Sequence, residues 1–207
     1  MTKTILVGIN SRYNHTCLAV RSICEYVKQN LENVDISFVE YTINQSLLDI
    51  LSDLNERIKQ TCEKKCRVMF SVYIWNIELS LKIIRELKKI FPKIIIACGG
   101  PEVSFRAREF LLEEKAVDYV MCGEGEQTVL EIIKTDFENT GTVPDGLCYR
   151  KGNEIFYSKE RQVMCELDFL PFPYPDIKNE KNKIFYYESS RGCPYSCAYC
   201  LSSLDKR

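Results

Sequence analysis

Histidine is almost absent from the sequence. His15 is the only one in 207 residues, so any clustered metal site must draw on other ligands. An excess of charge is also missing. Lysine and arginine total 28 against 29 aspartate and glutamate, a formal net charge of −1, and the basic residues are spread along the chain. That pattern argues against nucleic acid or an anionic membrane as the main partner. No apolar run reaches membrane-spanning length; the longest, VMFSVYIW, suits a buried strand. The N-terminal MTKTILVGIN lacks the long apolar region and small-residue cleavage site of a signal peptide.

Cysteine, by contrast, is plentiful. Eleven cysteines without an export signal predict a reducing, cytoplasmic setting. Hydrophobic residues make up 45% of the chain, enough for a core that needs no disulfide staple. Cys17, Cys24, Cys62, Cys66, Cys98, Cys122, Cys148 and Cys165 fall where a small hydrophobe would serve and read as structural thiols, CEKKC at 62–66 included.

From residue 4 to about 137, short β-branched runs alternate with helical periodicity. Strands are expected at 4–10, 36–42, 67–75, 93–100 and from 118 into the exit loop at 126. Between them, Val20, Ile23, Cys24, Val27 and Leu31 form one helical stripe, and Leu47, Ile50, Leu51, Leu54 and Ile58 a second, capped by Ser46. Asn76 is placed as the cap of a third helix that turns Leu79, Ile83, Ile84, Leu87 and Ile90 inward and stops at Pro92. A short helix at 104–114 and a last one carrying Val129, Leu130, Ile133 and Phe137 complete the series. Strands apolar on both faces imply a parallel sheet covered on both sides. The expected fold is α/β: a flavodoxin-like (Rossmann-type) doubly wound, five-stranded parallel sheet of order 2-1-3-4-5.

Beyond residue 140 the pattern changes. GLCYRKGNEIFYS reads as a hairpin turning at Gly152–Asn153, and LDFLPFPYPD, with three prolines, as an extended linker. KIFYYESS (183–190) reads as a new strand running into a cysteine loop. Three segments are therefore expected: 1–140, 141–182 and 183–207.

That loop, SSRGCPYSCAYC, holds Cys193, Cys197 and Cys200 spaced C-x3-C-x2-C. Structural zinc takes four ligands, often as paired C-x2-C units. Three thiolates favour a [4Fe–4S] cluster with one iron open to a small molecule, and Tyr199 offers an aromatic wall. Zinc or redox thiols remain the alternative at this point.

The loop after a strand, with RGCPYSCAYC flanks, resembles the radical S-adenosylmethionine (SAM) enzymes. The resemblance implies that Cys193, Cys197 and Cys200 hold the cluster and that its open iron binds SAM. The implied reaction is reductive cleavage of SAM to a 5′-deoxyadenosyl radical, with electrons from a flavodoxin- or ferredoxin-type donor.

A doubly wound sheet binds ligands at the C-terminal ends of its strands. The loops there are NSRYNHT, WN, GGPE and GEGEQT. NSRYNHT has no glycine for a flavin phosphate, Trp75 and Asn76 stand where a receiver domain needs aspartate, and a Rossmann fingerprint is missing. GGPE and GEGE, in this order before the cysteine motif, resemble the cobalamin-binding domain that precedes the barrel in one radical SAM class. The resemblance implies cofactor contacts at Asn10, Ser11, Tyr13, His15, Thr16, Trp75, Asn76, Gly99, Gly100, Pro101, Glu102, Gly123, Glu124, Gly125, Glu126 and Thr128, with Tyr199 at the cluster. Against D-x-H-x-x-G, a motif in which histidine ligates cobalt, the chain has Tyr13 and Leu18 in place of aspartate and glycine. An imidazole without its carboxylate is poorly oriented as a ligand, and His15 reads as a local hydrogen-bonding residue.

Residues 183–207 are thus expected to begin a radical SAM barrel that the chain does not complete. The fragment alone is expected to be inactive, with a mobile cysteine loop. A corrin-free docking module is the competing reading of residues 1–140. Substrate and oligomeric state are not written in the sequence.

Overall fold

The computed structural model describes residues 2–60, 65–164 and 166–200. Cys62, Cys165 and the last seven positions of the expected barrel start lie outside them. β1 (Lys3–Asn10), β2 (Ile36–Thr42), β3 (Cys66–Ser71), β4 (Ile95–Gly99) and β5 (Tyr119–Met121) pair in parallel in the order β2-β1-β3-β4-β5. α1 (Leu18–Asn30) and α6 (Gly125–Thr135) cover one face, packing over Leu6, Met69, Ala97, Tyr119 and Met121. α2 (Leu47–Lys59), α3 (Ile77–Ile90) and α5 (Ala107–Glu113) cover the other, over Ile5, Val7, Val68, Phe70 and Ile96. Ser46 caps α2 as expected, its hydroxyl accepting from the Asp49 N–H at 3.1 Å.

The sheet does not stop at five strands. β6 (Leu147–Lys151) and β7 (Glu154–Tyr157), the hairpin expected outside the domain, add antiparallel beside β5 and make it seven-stranded. They bury Leu147, Cys148 and Ile155 and cover an edge that would otherwise present unpaired backbone.

Four other expectations change. The apolar run at 67–75 is strand only to Ser71, because Asn76 Oδ1 accepts from the Tyr73 N–H (2.8 Å) and turns the chain; Ile74 and Trp75 face outward. Asn76 therefore does not cap α3 with its side chain but ties strand ends together, Nδ2 donating to Ile9 O and Ser71 O. The helix at 104–114 is two pieces, α4 (Pro101–Ser104) and α5, and Ile90 is half exposed. Residues 183–190 form no strand: Ile184 makes an isolated parallel bridge to His15, and the Tyr174 hydroxyl serves as partner to both the N–H and the C=O of Tyr186.

Under the opposite end of the sheet, α7 (Phe137–Thr140) is anchored by charge. Arg67, 1% exposed, pairs with Glu138, which also accepts from the Tyr119 hydroxyl (2.8 Å). Removing one partner of a buried pair leaves an uncompensated charge. Glu138→Ala is expected to cost about 3–5 kcal/mol in urea denaturation, against about 1 kcal/mol or less for Glu86→Ala on the surface of α3.

Candidate functional site

The register of four strands creates the site. Gly8 of β1 stands opposite Ser71 of β3, Ser71 opposite Gly99 of β4, and Gly99 opposite Met121 of β5. At this one level, near the C-terminal edge, the face beneath α1 and α6 carries almost no side-chain bulk. Cys17 closes over Gly8, where an added Cβ would lie 2.7 Å from the Cys17 Cβ. Over Ser71 and Gly99 the depression stays open as a slot of about 520 Å³. Leu6, Met69, Met121 and Ile23 give it apolar walls, Ser22 and Ser71 add hydroxyls, and Gly123–Glu126 form one side of the mouth. Glu188, Ser190, Arg191 and Gly192, from the segment leading into the cysteine loop, lie over it.

Two glycines are required rather than convenient. Gly100 has φ +108°, and a Cβ there would stand 2.4 Å from Val72 O. Gly123 has φ +83°, and a Cβ there would project into open space on the rim.

The slot holds Gly99, Gly100, Gly123, Glu124, Gly125 and Glu126 of the expected contacts. A second cavity of about 330 Å³ holds Asn10, Ser11, His15, Thr16 and Trp75, with Leu18 and Tyr73 shared between the two. Several of these residues are engaged within the protein. Asn10 Nδ2 donates to His15 O (2.9 Å) and Glu40 (3.2 Å), Thr16 meets Ile184 O (2.9 Å) and Tyr174, and Trp75 Nε1 donates to Ile9 O (3.2 Å) while stacking on Tyr73 at 4.5 Å. His15 Nδ1 lies 2.8 Å from the Tyr186 hydroxyl, a partner far along the chain rather than the local one expected at the start of α1. Asn76 and Thr128 are buried and hydrogen-bonded to nearby backbone. Tyr13 is exposed, and neither Pro101 nor Glu102 lines the slot.

Cys193, Cys197 and Cys200 are half-buried on one loop, with the Cys200 N–H on Cys197 O (3.1 Å) and Tyr199 93% exposed. Among the described residues no three His, Cys, Asp or Glu side chains are gathered closely enough to hold a metal. The three thiols fit an iron–sulfur cluster in kind, while their placement is not that of a formed site. Cys17, Cys24, Cys66, Cys98 and Cys148 are buried, as structural thiols should be; burial pushes Cys66 up to about 11 and keeps it protonated.

Sequence reading missed Ser22, Ser71, Glu188 and Arg191. Arg191 donates to Glu126 (2.6 Å) and Glu188 (2.9 Å) and lies 3.3 Å from Glu124. Carboxylates at the start of α6, paired with Arg191, already occupy the anion-attracting end of that helix. With apolar walls, two hydroxyls and its acids tied to arginine, the slot is built to enclose part of a ligand rather than to move protons.

The architecture defines an α/β domain with an open slot at the C-terminal edge of its sheet, where folds of this kind take ligands. The family described as the B12 binding domain matches residues 4–133, more than half of the chain. The chain belongs to that family. It is 31% identical over 143 residues to the cobalamin-dependent radical SAM methyltransferase TokK of Streptomyces tokunonensis, covering 63% of this chain and 21% of that protein. It is 26% identical over 176 residues to the anaerobic magnesium-protoporphyrin IX monomethyl ester cyclase of Cereibacter sphaeroides, 79% of this chain and 27% of that one. The fold matches OxsB, a cobalamin-dependent SAM radical enzyme solved with aqua-cobalamin and SAM, at TM-score 0.76 and 20% identity over 96% of this chain and 28% of that one. The chain thus spans about a quarter of the length of these proteins. Among the described residues no helix is long and apolar enough to cross a membrane.

Glu126 gives the site a pH signature. Burial alone would raise its carboxyl pKa; the hydrogen bond and charge of Arg191, with the Ser22 hydroxyl, outweigh burial and hold it below its ordinary 4.5. A depressed pKa stabilises the fold above the unfolded value and loses that contribution as pH falls through the folded one. Urea midpoints measured from pH 7 to pH 3 are expected to fall more steeply below pH 4.5 in the wild type than in Glu126→Gln.

Proposed function

We propose that this chain is the cobalamin-binding part of a B12-dependent radical SAM enzyme. The observation that carries the reading is the slot over Ser71 and Gly99, whose floor and walls come from the region matched by the B12 binding domain and which opens on the glycine-lined rim. Gly99, Gly100, Gly123 and Gly125 would admit the corrin and its nucleotide tail closely to the backbone, Ser22 and Ser71 would offer hydroxyls, and the Tyr73–Trp75 stack would flank the ring. Cys193, Cys197 and Cys200 would hold a [4Fe–4S] cluster, with SAM at its open iron and Tyr199 beside it. The similarity to methyltransferases and cyclases supports an enzyme of this class. The chemistry supplied by the bound cofactors is methyl transfer to an unreactive carbon, or a radical rearrangement or cyclisation. This chain's part is to bind, orient and shield. A flavodoxin- or ferredoxin-type protein would supply electrons, in the cytoplasm.

Anaerobic incubation with hydroxocobalamin followed by gel filtration tests the corrin. The folded chain is expected to retain corrin absorbance, and Ser71→Leu, which fills the slot, to weaken retention about tenfold or more (1.4 kcal/mol per tenfold). A folded wild type that elutes colourless would sink the reading in favour of a docking module.

The cluster is tested separately, by iron and sulfide reconstitution of the polypeptide as its gene encodes it. Iron and sulfide are expected in roughly equal amounts, as in a [4Fe–4S] cluster, and lost in Cys193→Ala. Zinc in place of iron would point to a zinc or redox site.

A further inference from the structure

Arg191 stands two residues before Cys193, yet its side chain leaves the cysteine loop and reaches down to the start of α6. Three carboxylates surround its guanidinium: Glu126 takes a hydrogen bond from Nη2, Glu188 takes one from Nε, and Glu124 lies 3.3 Å from Nη1. Side-chain exposure is 12% for Arg191 and 5% for Glu126, so this is a pair largely removed from water. Losing Arg191 strands Glu126 and Glu124 side by side, and losing Glu126 leaves Arg191 only the more exposed Glu188 and the 3.3 Å approach of Glu124. Ser22 of α1 donates to the same Glu126 oxygen at 2.8 Å, so one carboxylate joins α1, α6 and the approach to the cysteine loop.

The position of the pair matters as much as its burial. Leu18, Ser22, Glu188 and Arg191 line the slot and also a third cavity of about 380 Å³, whose far side is formed by the linker at Leu170–Pro173. Arg191 and Glu188 thus belong to a partition between the two. Among the described residues few other contacts fasten 187–192 to the sheet face. Upstream, the segment is held by Lys183 on Tyr13 O, the Ile184 bridge and Tyr186 on His15; at its far end, by Arg191.

We propose that Arg191 is a positioning residue, a latch that holds the approach to the cysteine loop across the mouth of the slot. What fills the slot and where Cys193 stands are then coupled. A ligand reaching under the roof is enclosed when Arg191 engages Glu126, and its presence favours the engaged state. By reciprocity the ordered loop favours the ligand by the same factor. The identity of the ligand rests on the cobalamin reading; the latch does not.

Hydrogen–deuterium exchange read by mass spectrometry separates the two. In the chain without added cofactor, peptides covering 186–192 and 193–200 are expected to exchange about tenfold or more faster in Arg191→Gln and Glu126→Gln than in the wild type, with β1 and β3 unchanged. Arg191→Lys, which keeps the charge and loses the forked geometry, is expected to fall between them. Equal exchange in wild type, Arg191→Gln and Glu126→Gln overturns the latch. If Arg191→Gln loses its folded circular dichroism spectrum, the Lys and Glu126→Gln variants carry the comparison. With hydroxocobalamin bound, 186–192 is expected to slow further in the wild type, and corrin to dissociate faster from Arg191→Gln. A wild type that binds no corrin defeats the cobalamin reading and leaves the first comparison to decide the latch. Equal corrin dissociation from wild type and Arg191→Gln defeats the coupling and leaves the cobalamin reading standing.

Discussion

The approach of α1 to α6 over a level of the sheet where Gly8, Ser71 and Gly99 carry little side-chain bulk is the constraint on which the site depends. Gly125 allows it: a Cβ there would stand 2.6 Å from the terminal methyl of Ile23, which itself lines the slot. The helices meet at their N-terminal ends while Ser71 and Gly99 leave the space beneath them open. Burial elsewhere on this face, by Leu6, Val20, Cys24, Val27, Val129 and Ile132, fixes both helices so that the gap does not collapse. A cavity lined by close-packed helices keeps its shape without a ligand, which lowers the ordering cost of binding one.

Buried or nearly buried arginines, Arg67, Arg21 and Arg191 among them, fasten what lies outside the sheet. Arg67 holds α7 beneath it through Glu138. Arg21, stacked near Phe38 and Tyr174, joins Glu40 of β2 to Glu180 of the linker. Arg191 holds the approach to the cysteine loop through Glu126. In each case a planar, permanently charged group meets carboxylates in a forked arrangement, a task to which lysine is poorly suited. Hydrophobic burial builds the layers, and these pairs decide where the appended segments dock on them.

Periodicity made the layers legible. The stripe Ile50, Leu51, Leu54 and Ile58 announces α2, and the β-branched runs announce β1 and β2 nearly to the residue, because local pattern and burial agree there. The hairpin was visible as a hairpin, but not its docking on β5, since pairing between strands is a long-range choice. The same limit hid the slot. Gly8 and Ser71 are unremarkable along the chain and become a feature only when register sets them beside Gly99. The glycine motifs after β4 and β5 could be found because positive φ leaves a residue-type signature; Arg191 could not, because an ion pair across 65 residues leaves none.

The single hydroxyl of Tyr174, serving both backbone groups of Tyr186, stands where a neighbouring strand would otherwise be. A ladder adds its bonds cooperatively with the sheet, whereas a side-chain substitute does not. Residues 174–192 therefore meet the domain through side chains and the Ile184 bridge rather than through the hydrogen-bond ladder of the sheet. The cysteines follow a stretch whose hold on the sheet is made of separate contacts, each removable by one substitution.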